Sequence, residues 1–365
     1  MRDMRRGLLQ LLTFPSIVLV AAIFIHADGG ANSSKWTVQT SGIDTNLRGV
    51  SAAVFTDSHY VPTPVVWASG SNGVILQSKD AGKTWKRLHV QGGEALDFRS
   101  IRAIDAQKAY VMSSGEGDKS RIYKTTDGGA NWKLQYTDKR KEFFLDALVC
   151  ISEIECFAVG DPIDGKFVIL HTRDSQNWTQ LPSDHMPVAL PDEGAFAASG
   201  TCLAVFNYRD IYFVTGGPAA RVFHSIDAGY SWAVNSAPIV SGNASSGIFS
   251  IAVWDKALVV VGGDYKDPGS SRGVAAYSAD QGKTWKLAER QPGGFRSAVA
   301  RIDEKYLVAV GPNGEDVSDD DGAHWRHTDS LNLNALAGLR YGYAWAVGPN
   351  GTIARLKSSP VYILH

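Results

Sequence analysis

Cysteine is scarce in this sequence, with three residues among 365. Three cysteines are too few for a disulfide scaffold. Cys150 ends one predicted strand and Cys156 starts the next across a short hairpin, so the two can form a disulfide in an oxidising compartment. Cys202 is then left over and is predicted to be buried. No histidine lies near any of the three in the way a cysteine nucleophile requires, so we predict no cysteine-based catalysis.

An excess of charge of one sign is also lacking. The 36 Lys and Arg residues balance 37 Asp and Glu residues, which leaves a formal net charge of −1. This balance gives no global attraction to nucleic acid or to acidic membranes, so we expect no nucleic-acid partner. The nine histidines are scattered, and only His324 and His327 approach metal-ligand spacing. We therefore predict no metal and no cofactor.

Long hydrophobic runs are rare, and the clearest one lies at the N-terminus. It extends over residues 8–25, follows three arginines within the first six residues, and is followed by the small residue Ala27. This order is typical of an export signal, and its length approaches that of a membrane-spanning helix. We expect residues 1–27 to be a signal peptide or an N-terminal membrane anchor and residues 28–34 to be a linker. The folded part is then periplasmic or extracellular.

Sustained helical periodicity is absent from the rest of the chain, where short apolar or alternating runs lie between Gly, Asn, Asp and Ser residues. An eight-residue motif, Ser-Lys-Asp-Ala-Gly-Lys-Thr-Trp in its first copy, recurs along these runs. We call its copies box 1 to box 6. They occupy residues 78–85, 125–132, 172–178, 225–232, 278–285 and 318–325. Box 3 is one residue short and lacks the Gly, and box 6 has a histidine before its Trp.

Each box has the composition of a tight turn between two strands. Asp accepts hydrogen bonds from downstream N–H groups, Gly supplies a position with positive φ, and Trp covers the turn. A glycosidase needs its catalytic carboxylate pair once, whereas a turn is needed in every repeat. We therefore interpret the box aspartates as structural and assign no catalytic residue among them. They are Asp80, Asp127, Asp174, Asp227, Asp280 and Asp320.

The spacing of the boxes predicts the architecture. Their tryptophans recur at intervals of 40 to 54 residues, and a Gly-ending apolar strand precedes them in phase in seven copies. Four short strands per repeat and seven repeats predict an all-β, seven-bladed β-propeller of four-stranded blades. The seventh repeat has no box, and the strand around Trp36 would complete it from the other end of the chain. We expect one domain over residues 35–357 and a tail over 358–365.

The repeated S/T-x-D-x-G-x-S/T/N-W is the Asp box, or BNR repeat. With seven units, Gly-ending second strands and an export signal, the chain resembles the photosystem II stability/assembly factor family of chloroplasts and cyanobacteria, and its relatives in non-photosynthetic bacteria. The resemblance covers nearly all of the mature chain. It implies a monomeric, non-enzymatic propeller that binds a protein partner, as an assembly or stability factor for a membrane protein complex.

Superposing the first strands of the repeats gives a candidate binding site beside the ring axis. Arginine at one level there would form an anion-preferring patch, and the resemblance implies an Arg-rich surface for the partner. In the alternative, the arginines pair with Asp97, Asp146 and Asp303 between blades. The candidates on the channel side are Arg48, Arg99, Arg102, Asp146, Arg296 and Asn334, with Phe249 at the same level.

Asp boxes also occur in sialidases and other carbohydrate-acting proteins, so a glycoside hydrolase or carbohydrate-binding propeller is the competing function. It would use Arg48, Arg99 and Arg296 as a carboxylate-binding triad. The sialidase motif Arg-Ile-Pro is replaced here by Arg99-Ser100-Ile101. Two insertions, residues 183–200 and 263–273, interrupt the regular spacing, and we predict that they are recognition loops.

Overall fold

The computed structural model describes residues 36–55, 63–339 and 343–356. The predicted export signal or anchor at 1–27, the linker at 28–34 and the tail at 358–365 lie outside these residues. The described residues belong to one compact unit. Within the described ranges, no helix combines the length and the apolar composition that crossing a membrane requires.

Twenty-nine strands and one 3-10 turn, Gly117–Lys119, make up the described structure. The strands are β1 (Trp36–Gln39), β2 (Leu47–Phe55), β3 (Thr63–Gly70), β4 (Ile75–Ser78), β5 (Lys86–Leu88), β6 (Phe98–Ala103), β7 (Ala109–Ser113), β8 (Arg121–Thr125), β9 (Lys133–Thr137), β10 (Leu145–Cys150), β11 (Cys156–Ile163), β12 (Lys166–Thr172), β13 (Thr179–Gln180), β14 (Leu203–Phe206), β15 (Asp210–Val214), β16 (Gly216–Gly217), β17 (Arg221–Ser225), β18 (Ala233–Ser236), β19 (Asn243–Trp254), β20 (Ala257–Asp264), β21 (Ala275–Ser278), β22 (Lys286–Leu287), β23 (Ala298–Arg301), β24 (Leu307–Gly311), β25 (Gly314–Ser318), β26 (Arg326–Asp329), β27 (Ala335–Leu339), β28 (Tyr343–Val347) and β29 (Ile353–Leu356).

The strands form seven antiparallel sheets in the part of the chain that the structure describes, which confirms the predicted seven-bladed propeller. Blades 1, 2 and 3 are β2–β5, β6–β9 and β10–β13. Blade 4 contains β14, β15, β17 and β18, and blade 6 contains β23–β26. Blade 5 contains β19–β22 and gains β16 as a fifth strand, because β19 begins early enough to pair with residues 216–217.

The last blade is completed from the start of the chain, as predicted. Its order is β27, β28, β29 and β1, with Trp36 opposite Leu356 and Gln39 opposite Ile353. Trp36 is 5% exposed, and its indole N–H donates to the Glu315 carboxylate of blade 6. Because β1 and β27–β29 share one sheet, the last blade has four strands and the ring is closed between the first and the last blade.

The hydrophobic core is divided among the blade interfaces. Trp345 of blade 7 packs against Val66 and Leu76 of blade 1, and Trp67 of blade 1 packs in the same way against blade 2. The second strand of each blade is covered on both faces, so it is almost continuously apolar, as in β20 with its run of three buried valines. This packing makes the ring a rigid support for its loops.

The boxes form the turns between the third and fourth strands. In box 1, Ser78 Oγ donates to Asp80 Oδ1 at 2.8 Å, and the Thr84 N–H and hydroxyl donate to the two Asp80 oxygens at 2.9 and 2.6 Å. In box 6, His324 Nδ1 lies 2.7 Å from Asp320 Oδ2 and replaces the hydroxyl. We call this end of the ring the box face. The opposite end, where the chain enters each inner strand, carries both insertions, and we call it the long-loop face.

Candidate functional site

Four inner strands have a β-bulge at the same level, where they begin at the long-loop face. Pairing with the second strand shifts register at Arg48, Arg99, Asp146 and Phe249. A bulge leaves its residue unpaired in the ladder and changes the direction of its side chain. The repeat alignment placed these four residues at equivalent positions, and the bulge is their common structural feature. They lie where the inner strands of blades 1, 2, 3 and 5 begin, and we call this part of the long-loop face the mouth.

Two arginines lie close together at the mouth. Arg99 Nε donates to Asp97 Oδ2 at 2.7 Å, and the side chain of Arg99 is 28% exposed. Burial and the neighbouring Arg99 charge lower the pKa of Arg48, while Asp97 acts in the opposite direction. Arg48 Nε is buried and has no hydrogen-bond partner among the described residues. Asp97 forms its ion pair with Arg99, whereas Arg48 lies close to both charges with no ion pair of its own among the described residues, which favours an additional anion.

Two carboxyl groups, the buried Asp146 and the half-buried Asp161, lie near the arginines. Asp146 is fully buried, and neither of its oxygens has a hydrogen-bond partner in the described part of the chain. Burial raises the pKa of Asp146 well above its usual range, Asp161 adds to this effect, and Arg99 opposes it. Burial also raises the pKa of Asp161 to about 6, although the Ala195 N–H donates to it at 3.1 Å. These environments favour the neutral acid, so Asp146 is a weak counter-ion for the arginines.

The axis is closed at the mouth by the chain itself. Residues 197–201, at the end of the first insertion, hydrogen-bond to blades 2, 5 and 6. From blade 2, Arg99 Nη1 donates to Ala197 O at 3.2 Å and Arg102 Nη2 donates to Gly200 O at 3.4 Å. Ser199 Oγ donates to Ser297 O of blade 6 at 2.9 Å, and Thr201 Oγ1 lies 2.7 Å from Ser250 Oγ of blade 5. Contacts with three other blades require this segment, which we call the plug, to cross the axis. The expectation of a surface recognition loop is therefore wrong for residues 197–200.

An aromatic cluster links the two insertions at the mouth. The rings of Phe196 and Phe249 stack with centroids 3.8 Å apart, and Phe295 meets Phe249 edge to face at 4.7 Å. Tyr265, in the second insertion, lies edge to face with Phe249 at 6.2 Å and is 47% exposed. Pro268 O accepts the Phe295 N–H at 3.0 Å, so the second insertion is tied to blade 6. The mouth thus has both cationic and aromatic surface.

Contrary to the prediction, the side chain of Arg296 does not face the mouth. It is fully buried, and its guanidinium pairs with the buried Asp316 and donates to Asn313 Oδ1 at 2.5 Å. A buried charge needs such partners, and they occupy the donors that a ligand would use. The carboxylate-binding triad of Arg48, Arg99 and Arg296 is therefore not assembled, and Arg296 supports blade 6 instead.

Two further candidates, Arg102 and Asn334, form hydrogen bonds that join neighbouring blades. Arg102 Nε donates to Leu148 O at 2.8 Å, and burial lowers the pKa of Arg102 to about 10. Asn334 donates to Asn46 Oδ1 at 2.6 Å and to Leu47 O at 2.8 Å, which ties blade 7 to blade 1. Of the candidates, Arg48 and Arg99 are thus the residues best placed to meet a ligand.

Sequence reasoning missed Asp161 and Phe196 as parts of the mouth. Asp161 directly follows a Gly-ending strand, a position that the repeat pattern assigns to a turn. Phe196 lies within a run of small residues, which indicates close packing. The alignment of repeats does not include this run, because the run lies in an insertion. Neither residue belongs to the repeat, so the repeat could not reveal them.

The box face carries the cysteine pair. Cys150 and Cys156 are opposite each other in β10 and β11 and are joined by a disulfide, while Cys202 is free and buried. Within residues 36–55, 63–339 and 343–356, no group of three His, Cys, Asp or Glu residues is arranged to hold a metal ion.

Curated relatives match short stretches of the chain. Photosystem II assembly lipoprotein Ycf48 of Prochlorococcus marinus is 31% identical over 75 residues, which cover 19% of this chain and 21% of the relative. Photosystem II stability/assembly factor HCF136 of Arabidopsis thaliana is 25% identical over 131 residues, 33% of this chain and 32% of the relative. The chain thus matches between a fifth and a third of the length of these relatives. These matches confirm the predicted resemblance to the assembly factors.

Solved structures match nearly the whole chain at the level of fold. YCF48 bound to D1 peptide has a TM-score of 0.64 at 15% identity, covering 89% of this chain and 98% of that one. YCF48 from Cyanidioschyzon merolae has a TM-score of 0.63 at 15% identity, covering 88% and 99%. A streptogramin B lyase also matches, with a TM-score of 0.59 at 11% identity over 88% and 96%. An enzyme among the similar folds shows that architecture alone does not assign activity.

A family model provides the longest match in sequence. The model of the DUF6242 beta propeller domain matches residues 30–301, which include blades 1 to 5 and the start of blade 6. This match extends over more than half of the chain and includes both bulged arginines of the mouth. The chain therefore belongs to the family of the DUF6242 beta propeller domain.

Proposed function

We propose that this chain is an exported, non-enzymatic scaffold that binds a protein partner at the mouth, as an assembly or stability factor for a membrane protein complex. The observation that carries the proposal is that Arg48 and Arg99 lie close together at the mouth, where Asp97 pairs with Arg99 and the buried Nε of Arg48 has no partner among the described residues. The pattern of residues 1–27 supports export to the periplasm or the cell exterior, with the segment either cleaved or kept as a tether.

The chemistry of the mouth favours a peptide segment that carries a carboxylate. A guanidinium can bind a carboxylate through two parallel hydrogen bonds, and Arg48 has a buried Nε with no partner among the described residues. Asp146 is a weak competitor, because burial favours its neutral form. Tyr265 offers an exposed aromatic ring at the same face, and aromatic residues are enriched where proteins bind proteins.

The comparisons support a protein as the ligand. A propeller with a similar fold is described as YCF48 bound to D1 peptide, and the curated relatives are named as photosystem II assembly factors. We infer by analogy that the partner here is a segment of a membrane protein. The plug closes the axis at the mouth, so the segment would lie across the long-loop face and would not pass through the ring.

The test is capture of the partner from membranes of the host. The full chain would be compared with the double variant Arg48→Ala/Arg99→Ala and with Arg326→Ala, which removes an exposed arginine from β26 on the outside of blade 6. We expect the wild type and Arg326→Ala to capture the same protein after cross-linking, and the double variant to bind it at least about tenfold more weakly.

Two results would contradict the proposal. One is equal capture by the double variant when its thermal unfolding matches that of the wild type. The other is turnover of fluorogenic glycosides or sialosides that Arg99→Ala abolishes, because that outcome would assign the mouth to a hydrolase. Arg99→Lys is a useful further variant, since it keeps the charge but loses the paired guanidinium donors.

A further inference from the structure

The box face has two grooves on either side of box 3, the box that is one residue short and lacks the Gly. The larger groove has a volume of about 490 Å³ and lies between boxes 2 and 3. The smaller groove, of about 230 Å³, lies between boxes 3 and 4. Residues of box 3 line both grooves, Ser175 and Gln176 on one side and Asp174 and Asn177 on the other. We call them the box-3 grooves.

The larger groove is lined by polar side chains. Its lining includes two hydroxyls and three amides but no aliphatic residue: Thr126, Ser175, Asn131, Gln135 and Gln176. Gln135 occupies a bulge in β9, opposite the register shift between Ile122 and Tyr123, and its Oε1 is buried without a hydrogen-bond partner among the described residues. A side-chain amide has both a hydrogen-bond donor and an acceptor, so it can bind the hydroxyl groups of a ligand, which also donate and accept.

Cationic side chains accompany these amides. Lys124 lies with its Nζ 5.2 Å from the centroid of the Tyr110 ring, and Lys133 is exposed at the edge of the larger groove. Arg173 lines the smaller groove. The two carboxylates of the lining belong to boxes 2 and 3 and accept hydrogen bonds within their own turns, from Asn131 at 2.8 Å and Asn177 at 2.6 Å. These hydrogen bonds keep both carboxylates ionised. In the larger groove the two lysines still outnumber the one carboxylate, Asp127, whereas Arg173 in the smaller groove lies 3.9 Å from Glu155. The larger groove can therefore take an anionic substituent of a ligand.

Aromatic side chains complete the lining. Trp132 lines the larger groove, and Tyr230, 44% exposed, lines the smaller one. An aromatic ring offers an apolar face to the C–H groups of a sugar ring, while its polar atom stays near water. A volume near 490 Å³ lies within the range of small-ligand sites.

We propose that the box-3 grooves bind an oligosaccharide that carries carboxylate groups, as a polymer of uronic acids does. The amides and hydroxyls would bond the sugar hydroxyls, Lys124, Lys133 and Arg173 would bind the carboxylates, and Tyr230 would stack on a ring. The site lies on the face opposite the mouth, so it is independent of the proposed protein partner. The lining of the larger groove offers amides and hydroxyls and no cluster of arginines, which favours a sugar over an acidic peptide.

The experiment measures binding of the full chain to oligogalacturonates by calorimetry. Neutral galactose oligosaccharides of the same length test the role of charge, and poly-glutamate tests an acidic peptide. Lys133→Glu and Arg173→Glu are the test variants. Lys286→Glu is the matched control, because Lys286 follows the Trp of box 5 as Lys133 follows the Trp of box 2, and it is equally exposed.

We expect oligogalacturonate to bind, and both test variants to weaken it about tenfold or more, while Lys286→Glu changes it less than about twofold. Binding should also weaken with added salt, and Gln135→Ala should reduce it without changing thermal stability. Arg48→Ala/Arg99→Ala should bind it unchanged, which separates this site from the mouth. The proposal is overturned if oligogalacturonate does not bind, if neutral sugars or poly-glutamate bind as tightly, or if Lys286→Glu weakens binding as much as the test variants.

Discussion

Trp36 lies directly opposite Leu356 in the outer pair of strands of the last blade, although the two residues come from opposite ends of the chain. Both are about 5% exposed and pack with the side chains of blades 6 and 7. The ring is thus closed by backbone hydrogen bonds together with a buried indole. Each blade packs against the two blades beside it. The ring is therefore complete only when β1 joins the last blade.

Trp36→Ala should lower the free energy of unfolding by about 3 to 5 kcal/mol, as large core aromatics do when truncated. The loss has two causes, a cavity between blades 6 and 7 and the removal of the donor to Glu315. Val38→Ala, two residues along the same strand at 60% exposure, should cost less than about 0.5 kcal/mol. Urea denaturation measures both variants. Equal stability of the two would show that β1 does not hold the ring.

The box turns should contribute to stability through their aspartates. Hydrogen bonds from the Thr284 hydroxyl and N–H lower the pKa of Asp280 to about 2. A lowered carboxyl pKa contributes stability that is present above about pH 4 and is lost as the pH falls toward the folded-state pKa. Asp280→Ala should therefore cost about 1 kcal/mol at neutral pH, and this difference should shrink in acid.

Asp319→Ala is the control for this prediction. Asp319 lies in box 6 next to Asp320, which occupies the hydrogen-bonded position of that box, and it forms a surface ion pair with Lys305 at 3.3 Å. Exposed pairs of this kind contribute little, so the change should stay below about 0.5 kcal/mol. A loss for Asp319→Ala as large as for Asp280→Ala would contradict a specific role of the box aspartate.

Asp161 predicts a pH dependence of the opposite sign. Burial raises its pKa to about 6 in the folded protein, above the ordinary unfolded value near 4. The folded state then binds more protons between these values, so the contribution of Asp161 to stability falls as the pH rises from about 4 to about 6. Asp161→Asn should abolish this loss of stability between about pH 4 and pH 6, which amounts to up to about 3 kcal/mol in the free energy of unfolding.

Chemical denaturation at several pH values between 4 and 7 measures this difference. Asparagine keeps an acceptor for the Ala195 N–H. Because the Asp161 charge also raises the pKa of Asp146, the difference between the two proteins measures the loss of Asp161 together with its effect on Asp146. We expect the variant to be as stable as the wild type near pH 4 and more stable near pH 7. Parallel pH profiles of the two proteins would show that the carboxyl group is solvated.

The number of blades and the closure could be predicted because every repeat has a box or a Gly-ending strand, and because Trp36 supplies the strand that the seventh repeat lacks. The level of the mouth residues was predicted by the same alignment. Side-chain direction was not, because Arg296 turns toward Asp316 of β25, a partner outside the repeat pattern. The length of an insertion likewise does not reveal whether it extends outward or, as in the plug, into the axis.

Gly200 provides a test of the plug. Its φ is +69°, and a Cβ at this position would lie 2.6 Å from Ser100 Oγ and 3.1 Å from Arg99 O. Gly200→Ala should therefore cost about 1 to 3 kcal/mol. Because Arg99 also donates to Ala197 O in the same segment, the shift should move the Arg99 guanidinium and weaken capture of the partner at the mouth.

Gly269→Ala is the matched control, since no atom lies within 4 Å of its added Cβ. It should leave stability unchanged, and because Gly269 lies in the second insertion it serves as a control for stability only. Thermal unfolding would be applied to both variants and the membrane capture assay to Gly200→Ala. If Gly200→Ala unfolds and captures like the wild type, residues 197–201 do not pack across the axis, and Arg99 is positioned by Asp97 alone. If stability falls but capture is retained, the plug supports the ring without positioning the arginine pair.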